Sequence, residues 1–182
     1  SDVDAAASRT PLAHHLLPGS SVQTRLGGPR AVAALEVKAQ ASDLEPALRG
    51  VLLKVSFDGE SCVEAPVGDF FGSAPGLRPF QTLPTGISTA GVLHCQWRMP
   101  FQREAVLEWI NLGTQAVDLA GFVATVPQEW TDRSLHFHAK WQAEMSRLFP
   151  SAPLEQAFVQ ILTALATASP LLLVVDDFQW AD

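Results

Sequence analysis

The feature that most limits the fold is an alternating run of apolar residues that ends in a turn. Within residues 51–57, apolar side chains occupy every second position, namely Val51, Leu53, Val55 and Phe57. On a strand these side chains share one face, which must be buried. Asp58 and Gly59 follow directly, and both tolerate the positive φ angles of a two-residue hairpin turn. The pattern predicts a β-hairpin with one buried face.

Shorter runs of the same kind recur along the chain, with Gly- and Pro-rich turns between them. We expect strands at residues 22–26, 31–39, 63–67, 92–99, 105–111 and 116–126, and a long loop at 73–91. The sequence therefore predicts a mainly β fold, an antiparallel jelly-roll β-sandwich over residues 20–141. Its expected core includes Leu53, Val55, Phe57, Leu107, Ile110, Leu119 and Phe122, and the candidate inward positions of the 31–39 run are Val32, Leu35 and Val37.

The two ends follow different patterns. Residues 1–19 are polar and Ala-rich, and we expect an N-terminal arm with little regular structure. After a boundary within 141–152, apolar residues of the 142–182 tail follow the 3.6-residue period over 154–168, which predicts a helix. Leu171–Val175 is apolar throughout and predicts a buried strand. The first residue, Ser1, and the break in pattern at Asp182 predict a piece of a longer chain.

Composition excludes several classes of function. The net charge of −7 disfavours binding to nucleic-acid phosphates, and the apolar run at Leu171–Val175 is too short to span a bilayer. Cys62 and Cys95 are the only cysteines, and we expect two free thiols. We expect no nucleic-acid partner, no membrane partner and no cofactor. The compartment stays open, with the bacterial cytoplasm favoured.

Few residues carry recognisable chemistry by themselves. Phe70 and Phe71, between glycines, form either a sugar-stacking platform or two core residues, and the core interpretation is favoured. Glu60 and Glu64 resemble a glycosidase pair but are interpreted as solvated or cap-like residues. His136 and His138 would share one face of a strand and could bind a metal. No third ligand is evident beside them, so we expect a hydrogen-bonded structural pair and no metal site.

Three motifs, in order, resemble a known family. They are Phe57-Asp58-Gly59-Glu60 leading into Val63–Gly72, then Trp97-Arg98-Met99-Pro100-Phe101, then Phe137-His138-Ala139-Lys140-Trp141. Together they resemble the N-terminal half of glycoside hydrolase family 172, the difructose-anhydride synthases and α-D-fructofuranosidases, once catalogued as a domain of unknown function. The resemblance covers about residues 16–141.

This resemblance implies two tandem jelly rolls, a trimer-type homo-oligomer and substrates with α-linked fructofuranose or arabinofuranose. It also implies a retaining mechanism with two glutamates in the second jelly roll. The family's Gly-Glu-Gly-Asp and Gly-Thr-Gly-Thr-Glu-Asp motifs are absent from this sequence, so we expect no catalytic residue here. The expected carbohydrate contacts are Asp69, Phe70, Phe71, His138 and Trp141, although packing is the favoured role of Trp97 and Trp141.

The tail carries a second resemblance. Leu171–Val175 followed by Asp176 and Asp177 resembles the Walker B strand of large bacterial ATPase regulators. By that resemblance Asp176 would coordinate Mg²⁺ and Asp177 would be the catalytic acid. The phosphate-binding loop Gly-x-x-x-x-Gly-Lys-Ser/Thr is absent from the sequence, so ATP hydrolysis is not expected. We expect such a tail to dock on the sandwich, to pair with a partner or to come from a fused or mispredicted reading frame, and we favour the last.

The sequence thus predicts a non-catalytic jelly-roll module related to a carbohydrate-active enzyme. Two alternatives stay open. The chain could be a fragment of an active glycoside hydrolase whose catalytic half lies elsewhere. It could also be the sensor module of an ATP-dependent bacterial regulator.

Overall fold

The protein is seen in a computed structural model that describes residues 7–73 and 77–141. The chain divides into two units, Ser1–Trp141 and Gln142–Asp182. The second unit lies outside the described residues, and so do the predicted helix at 154–168 and the predicted strand Leu171–Val175.

The described residues are mainly strands. The strands are β1 Ser8–Leu16, β2 Ser21–Gly27, β3 Arg30–Gln40, β4 Val51–Phe57, β5 Glu60–Pro66, β6 Phe80–Gln81, β7 Thr85–Ile87, β8 Leu93–Cys95, β9 Met99–Phe101, β10 Glu104–Asn111, β11 Val117–Pro127 and β12 Ala139–Lys140. Two short helices, α1 Leu44–Gly50 and α2 Val67–Phe71, flank the hairpin of β4 and β5. Neither helix in this part of the chain is long and apolar enough to cross a membrane.

These strands form two sheets. One has the order β1-β11-β3-β8-β7-β6, with β9 also paired to β3, and the other has the order β12-β5-β4-β10-β2. The pairs are antiparallel except for β12 and β5, which run parallel. Buried side chains from both sheets belong to one hydrophobic cluster. The fold is therefore the antiparallel β-sandwich that the alternating pattern predicts.

The core confirms most of the predicted residues and corrects two. Val32, Leu35, Val37, Leu53, Val55, Phe57, Leu107 and Leu119 are buried. Ile110 and Phe122 are only half-buried and do not belong to the observed core, so their prediction is wrong. On β10 the inward positions are odd-numbered, so Trp109 takes the core position beside Ile110. Phe122 faces outward on β11, where the Arg9 guanidinium lies 4.6 Å from the centre of its ring.

The predicted N-terminal arm is wrong over Ser8–Leu16. This segment is strand β1, paired with β11 from Ser8 opposite Thr125 to Leu16 opposite Val117. Leu12 and Leu16 contribute to the core, but polar residues between them conceal the alternation. Pro11 is tolerated because β1 lies at the edge of its sheet.

The predicted loop and the strand after it also need correction. Residues 73–91 include the short strands β6 and β7, and the predicted strand 92–99 is divided between β8 and β9. Both β8 and β9 pair with β3, at different positions along its length. Cys95 on β8 and Cys62 on β5 are buried free thiols. Burial raises the pKa of the Cys95 thiol to about 11.

Candidate functional site

The turn between β4 and β5 organises one end of the sandwich. Asp58 has a φ of 55° and Gly59 a φ of 91°, which confirms the predicted hairpin turn. The Asp58 carboxylate accepts backbone N–H groups from the neighbouring turn, at 2.8 Å from Gln102, 2.6 Å from Arg103 and 3.0 Å from Glu104. The Arg103 guanidinium in return donates to the Asp58 carbonyl oxygen at 2.8 Å. One side chain thus holds the β4–β5 turn to the segment between β9 and β10.

These bonds stabilise the charged form of Asp58. Burial by itself would raise the pKa of the Asp58 carboxyl. The three backbone N–H donors and His136 outweigh burial and lower this pKa to about 2. Asp58 is therefore a carboxylate under all ordinary conditions.

His136 joins this turn to the last described segment. Its Nε2 lies 3.0 Å from Oδ2 of Asp58, and its Nδ1 lies 3.3 Å from Oε2 of Glu60. The imidazole also packs against two aromatic rings, with centroid distances of 5.8 Å to Phe57 and 4.9 Å to Trp130. Both ring nitrogens face carboxylate oxygens, so both hydrogen bonds form together only when the ring carries two protons.

The segment after His136 runs along the edge of the second sheet. Ala139 pairs with Val63 and Lys140 with Glu64 in the parallel β12–β5 ladder. The Trp141 amide extends the ladder by donating to the Glu64 carbonyl oxygen at 2.9 Å. This placement sets Phe137 and Trp141 beside α2 and the segment between β8 and β9.

An aromatic concavity of about 200 Å³ lies at this edge. Its lining residues are Ala65, Asp69, Phe70, Trp97, Phe137, Ala139, Lys140 and Trp141. Trp97 and Phe137 are 5.7 Å apart between ring centroids, and Trp97 and Trp141 are 44% and 46% exposed. Asp69 is held by Arg49, whose Nη1 lies 3.2 Å from the carboxylate. The concavity combines aromatic surface with one acidic and one basic side chain.

The structure brings together three of the five predicted carbohydrate contacts. Asp69, Phe70 and Trp141 line the concavity. Phe71 is buried in the core, where its ring meets that of Phe70 edge-on at 5.2 Å. His138 is exposed outside the concavity, with Nε2 3.8 Å from Oε1 of Glu60. Asp176 and Asp177 lie outside the described residues.

Sequence reasoning missed part of this arrangement. Trp97 and Phe137 each belong to one of the three motifs that carry the family resemblance, but 40 positions separate them in the chain. Their proximity depends on the pairing of β12 with β5 and has no local signature. Glu64 forms an ion pair with Lys54 at 3.1 Å, as expected of a solvated residue, whereas Glu60 contacts both histidines.

Cys62 lies beneath Glu60 and His138. Its thiol donates to the Glu60 carbonyl oxygen at 3.3 Å. Burial raises the pKa of the Cys62 thiol, against the smaller opposing effects of a backbone hydrogen bond and Lys140. Among the described residues, the ligating atoms of Glu60, Cys62 and His138 form the group that could hold a metal ion.

The Asp58 carboxylate should make the free energy of unfolding depend on pH in the acidic range. Its pKa is about 2 when folded and about 3.9 when unfolded. Its stabilising effect is therefore complete above about pH 4 and is lost as the pH falls through about 2. We expect Asp58→Asn to lower the free energy of unfolding by about 2 kcal/mol at pH 7, a difference that shrinks toward pH 2. Urea unfolding at several pH values measures it.

Asp118→Asn is the matched control, because Asp118 pairs with His15 on the surface and its side chain is 59% exposed. Its effect should stay within about 0.5 kcal/mol. An Asp58→Asn protein with wild-type stability at pH 7 would contradict the proposed role of this carboxylate.

Comparison with known proteins gives one family match. The family model described as GH172 domain-like matches residues 10–122, more than half of the 182-residue chain. No curated protein matches the chain. The matched span includes the β4–β5 turn and Asp69, whereas residues 130–141 and the tail lie beyond it, so the Walker B resemblance stays a prediction. The chain belongs to the GH172 domain-like family.

Proposed function

We propose that the sandwich is a non-catalytic, carbohydrate-binding module of a glycoside-hydrolase-related protein. The observation that carries the proposal is the aromatic concavity lined by Phe70, Trp97, Phe137 and Trp141. Membership of the GH172 domain-like family supports carbohydrate as the class of ligand.

The lining of the concavity suits a sugar ring. Sugars present weakly polar C–H groups on one face, and aromatic rings stack on such faces while excluding water. Asp69 and Lys140 stand among the lining aromatics and can accept from and donate to hydroxyl groups. Arg49 fixes the Asp69 carboxylate in place, so less conformational entropy is lost when a ligand binds.

The size of the concavity limits the ligand. A volume of about 200 Å³ is below the range of about 300–1,000 Å³ typical of sites for drug-sized molecules. The site therefore suits one sugar unit, either free or as the exposed end of a longer chain. A furanoside with α linkage is the expected ligand, because it is the substrate class implied by the family resemblance.

The same concavity lacks the groups for retaining hydrolysis. That reaction needs two carboxyl groups about 5–5.5 Å apart across the scissile bond. Among the residues that line the concavity, Asp69 alone is acidic, and Arg49 holds it in an ion pair. The glutamate motifs of the related glycosidases are also absent from the sequence. We therefore propose binding without turnover.

The binding proposal predicts that the two exposed tryptophans hold the sugar. Methyl α-D-fructofuranoside and methyl α-D-arabinofuranoside should perturb the indole NMR signals of Trp97 and Trp141 on titration. Trp97→Ala and Trp141→Ala should each weaken binding about 2- to 10-fold, which corresponds to about 0.5–1.5 kcal/mol for an aromatic contact.

Phe122→Ala is the matched control, because Phe122 is a half-buried aromatic residue on β11, away from the concavity. It should leave affinity unchanged. Saturable binding that survives the loss of both tryptophans would place the sugar elsewhere, and no binding of either furanoside would refute the proposal.

The absence of turnover is a separate prediction. Incubation of the chain with aryl α-D-fructofuranosides and α-D-arabinofuranosides should release no more aglycone than buffer does. Glu60→Gln and Glu64→Gln variants should behave like the unmodified chain. Hydrolysis that disappears in either variant would show that the β5 carboxylates are catalytic.

A further inference from the structure

We propose that Glu60, Cys62 and His138 form a binding site for one zinc-type divalent ion at the start of β5. This site is separate from the aromatic concavity and does not depend on sugar binding. Sequence reasoning did not predict it, because Glu60 and Cys62 lie in a hairpin more than 70 positions before His138.

The three ligating atoms are already close together. A carboxylate oxygen of Glu60, Sγ of Cys62 and a ring nitrogen of His138 all lie within 4.8 Å of one another. Zinc binds such atoms at about 2.0–2.3 Å in a tetrahedron, which places neighbouring ligand atoms roughly 3.3–3.8 Å apart. The 3.8 Å between Nε2 of His138 and Oε1 of Glu60 is slightly longer than this geometry requires for a nitrogen and an oxygen ligand. Small side-chain rotations can bring the three ligating atoms to tetrahedral spacing.

The donor types select the metal. A thiolate, an imidazole and a carboxylate are the ligands that zinc binds in proteins. Magnesium and calcium instead prefer sites made of oxygen atoms. Three protein ligands leave one position of the tetrahedron for water.

The proposed site has one buried ligand and two exposed ligands. Cys62 is fully buried, whereas the side chains of Glu60 and His138 are 60% and 50% exposed. An ion can therefore enter from solvent between the carboxylate and the imidazole and reach the thiol below them. Lys140 lies near enough to influence Cys62; its charge opposes a cation but favours the thiolate form that binds the metal.

A β-bulge positions the thiol. Val55 of β4 pairs with Val63, but the next residue, Ser56, pairs with Ser61, so Cys62 is the extra residue on β5. Such a bulge redirects the side chains of its strand. Cys62 and Val63 are consequently both buried, and strict alternation would not have allowed this.

A surrounding shell orients the Glu60 carboxylate. Oε2 of Glu60 lies 3.3 Å from Nδ1 of His136, and the other nitrogen of His136 is held by Asp58 at 3.0 Å. This contact leaves Oε1 facing His138. Groups that hold a ligand by its second atom are a regular part of metal sites, because they fix its orientation.

Cobalt titration of the complete, tag-free chain tests the site. Co²⁺ bound to a thiolate produces a charge-transfer absorption in the near ultraviolet, which oxygen and nitrogen ligands do not give. We expect about one equivalent of Co²⁺ to produce this band and Zn²⁺ to displace it. All histidines and cysteines of the chain are in residues 14–138, so the 142–182 tail cannot be the source.

Cys62→Ser should abolish the band, and Glu60→Gln and His138→Gln should each weaken Co²⁺ binding at least about tenfold. Cys95→Ser is the matched control, since Cys95 is the other buried cysteine and lies on β8 of the opposite sheet; it should keep the band. His138→Gln alters an exposed side chain, so it tests the site even if Cys62→Ser fails to fold. Failure of Co²⁺ to give the band, its persistence in Cys62→Ser, or full-strength binding in His138→Gln would overturn the proposal.

Discussion

This end of the sandwich depends on the hydrogen bonds that the Asp58 carboxylate accepts. A hairpin turn of two residues brings β4 and β5 together, but it cannot by itself fix the neighbouring segments. Asp58 does so by accepting three backbone N–H groups at residues 102–104 and by contacting His136. Hydrogen bonds to a charged acceptor are stronger than neutral ones, and together these four outweigh burial and lower the pKa of the Asp58 carboxyl to about 2.

Both proposed sites follow from this arrangement. His136 leads into β12, whose pairing with β5 places Phe137 and Trp141 in the aromatic concavity. The same residue orients Glu60, beside Cys62 and His138. The proposed sugar site and the proposed metal site therefore both include residues of the β12–β5 region, and either proposal can fail without the other.

Local sequence predicted what depends on local geometry. The alternation of Val51–Phe57 and the turn at Asp58 are found as expected, since neighbouring residues determine both. The prediction failed where distant pairing decides. Ser8–Leu16 is a strand because it pairs with β11. The approach of Trp97 to Phe137 likewise requires the parallel β12–β5 pair, for which the sequence contains no turn signal. The misplacement of Ile110 has a local cause instead, because alternation along β10 excludes it from the buried face that contains Leu107 and Trp109.

Amide hydrogen exchange in a His136→Gln variant tests most directly whether this linkage builds the site. The charge-assisted bond to Asp58 stabilises by about 1.5–3 kcal/mol. Its loss should speed exchange at residues 139–141 by about tenfold or more, including the Trp141 amide that donates to Glu64. Exchange in β4, Val51–Phe57, should stay unchanged. Equal protection of residues 139–141 in both proteins would contradict the account, because β12 would then hold its place without His136.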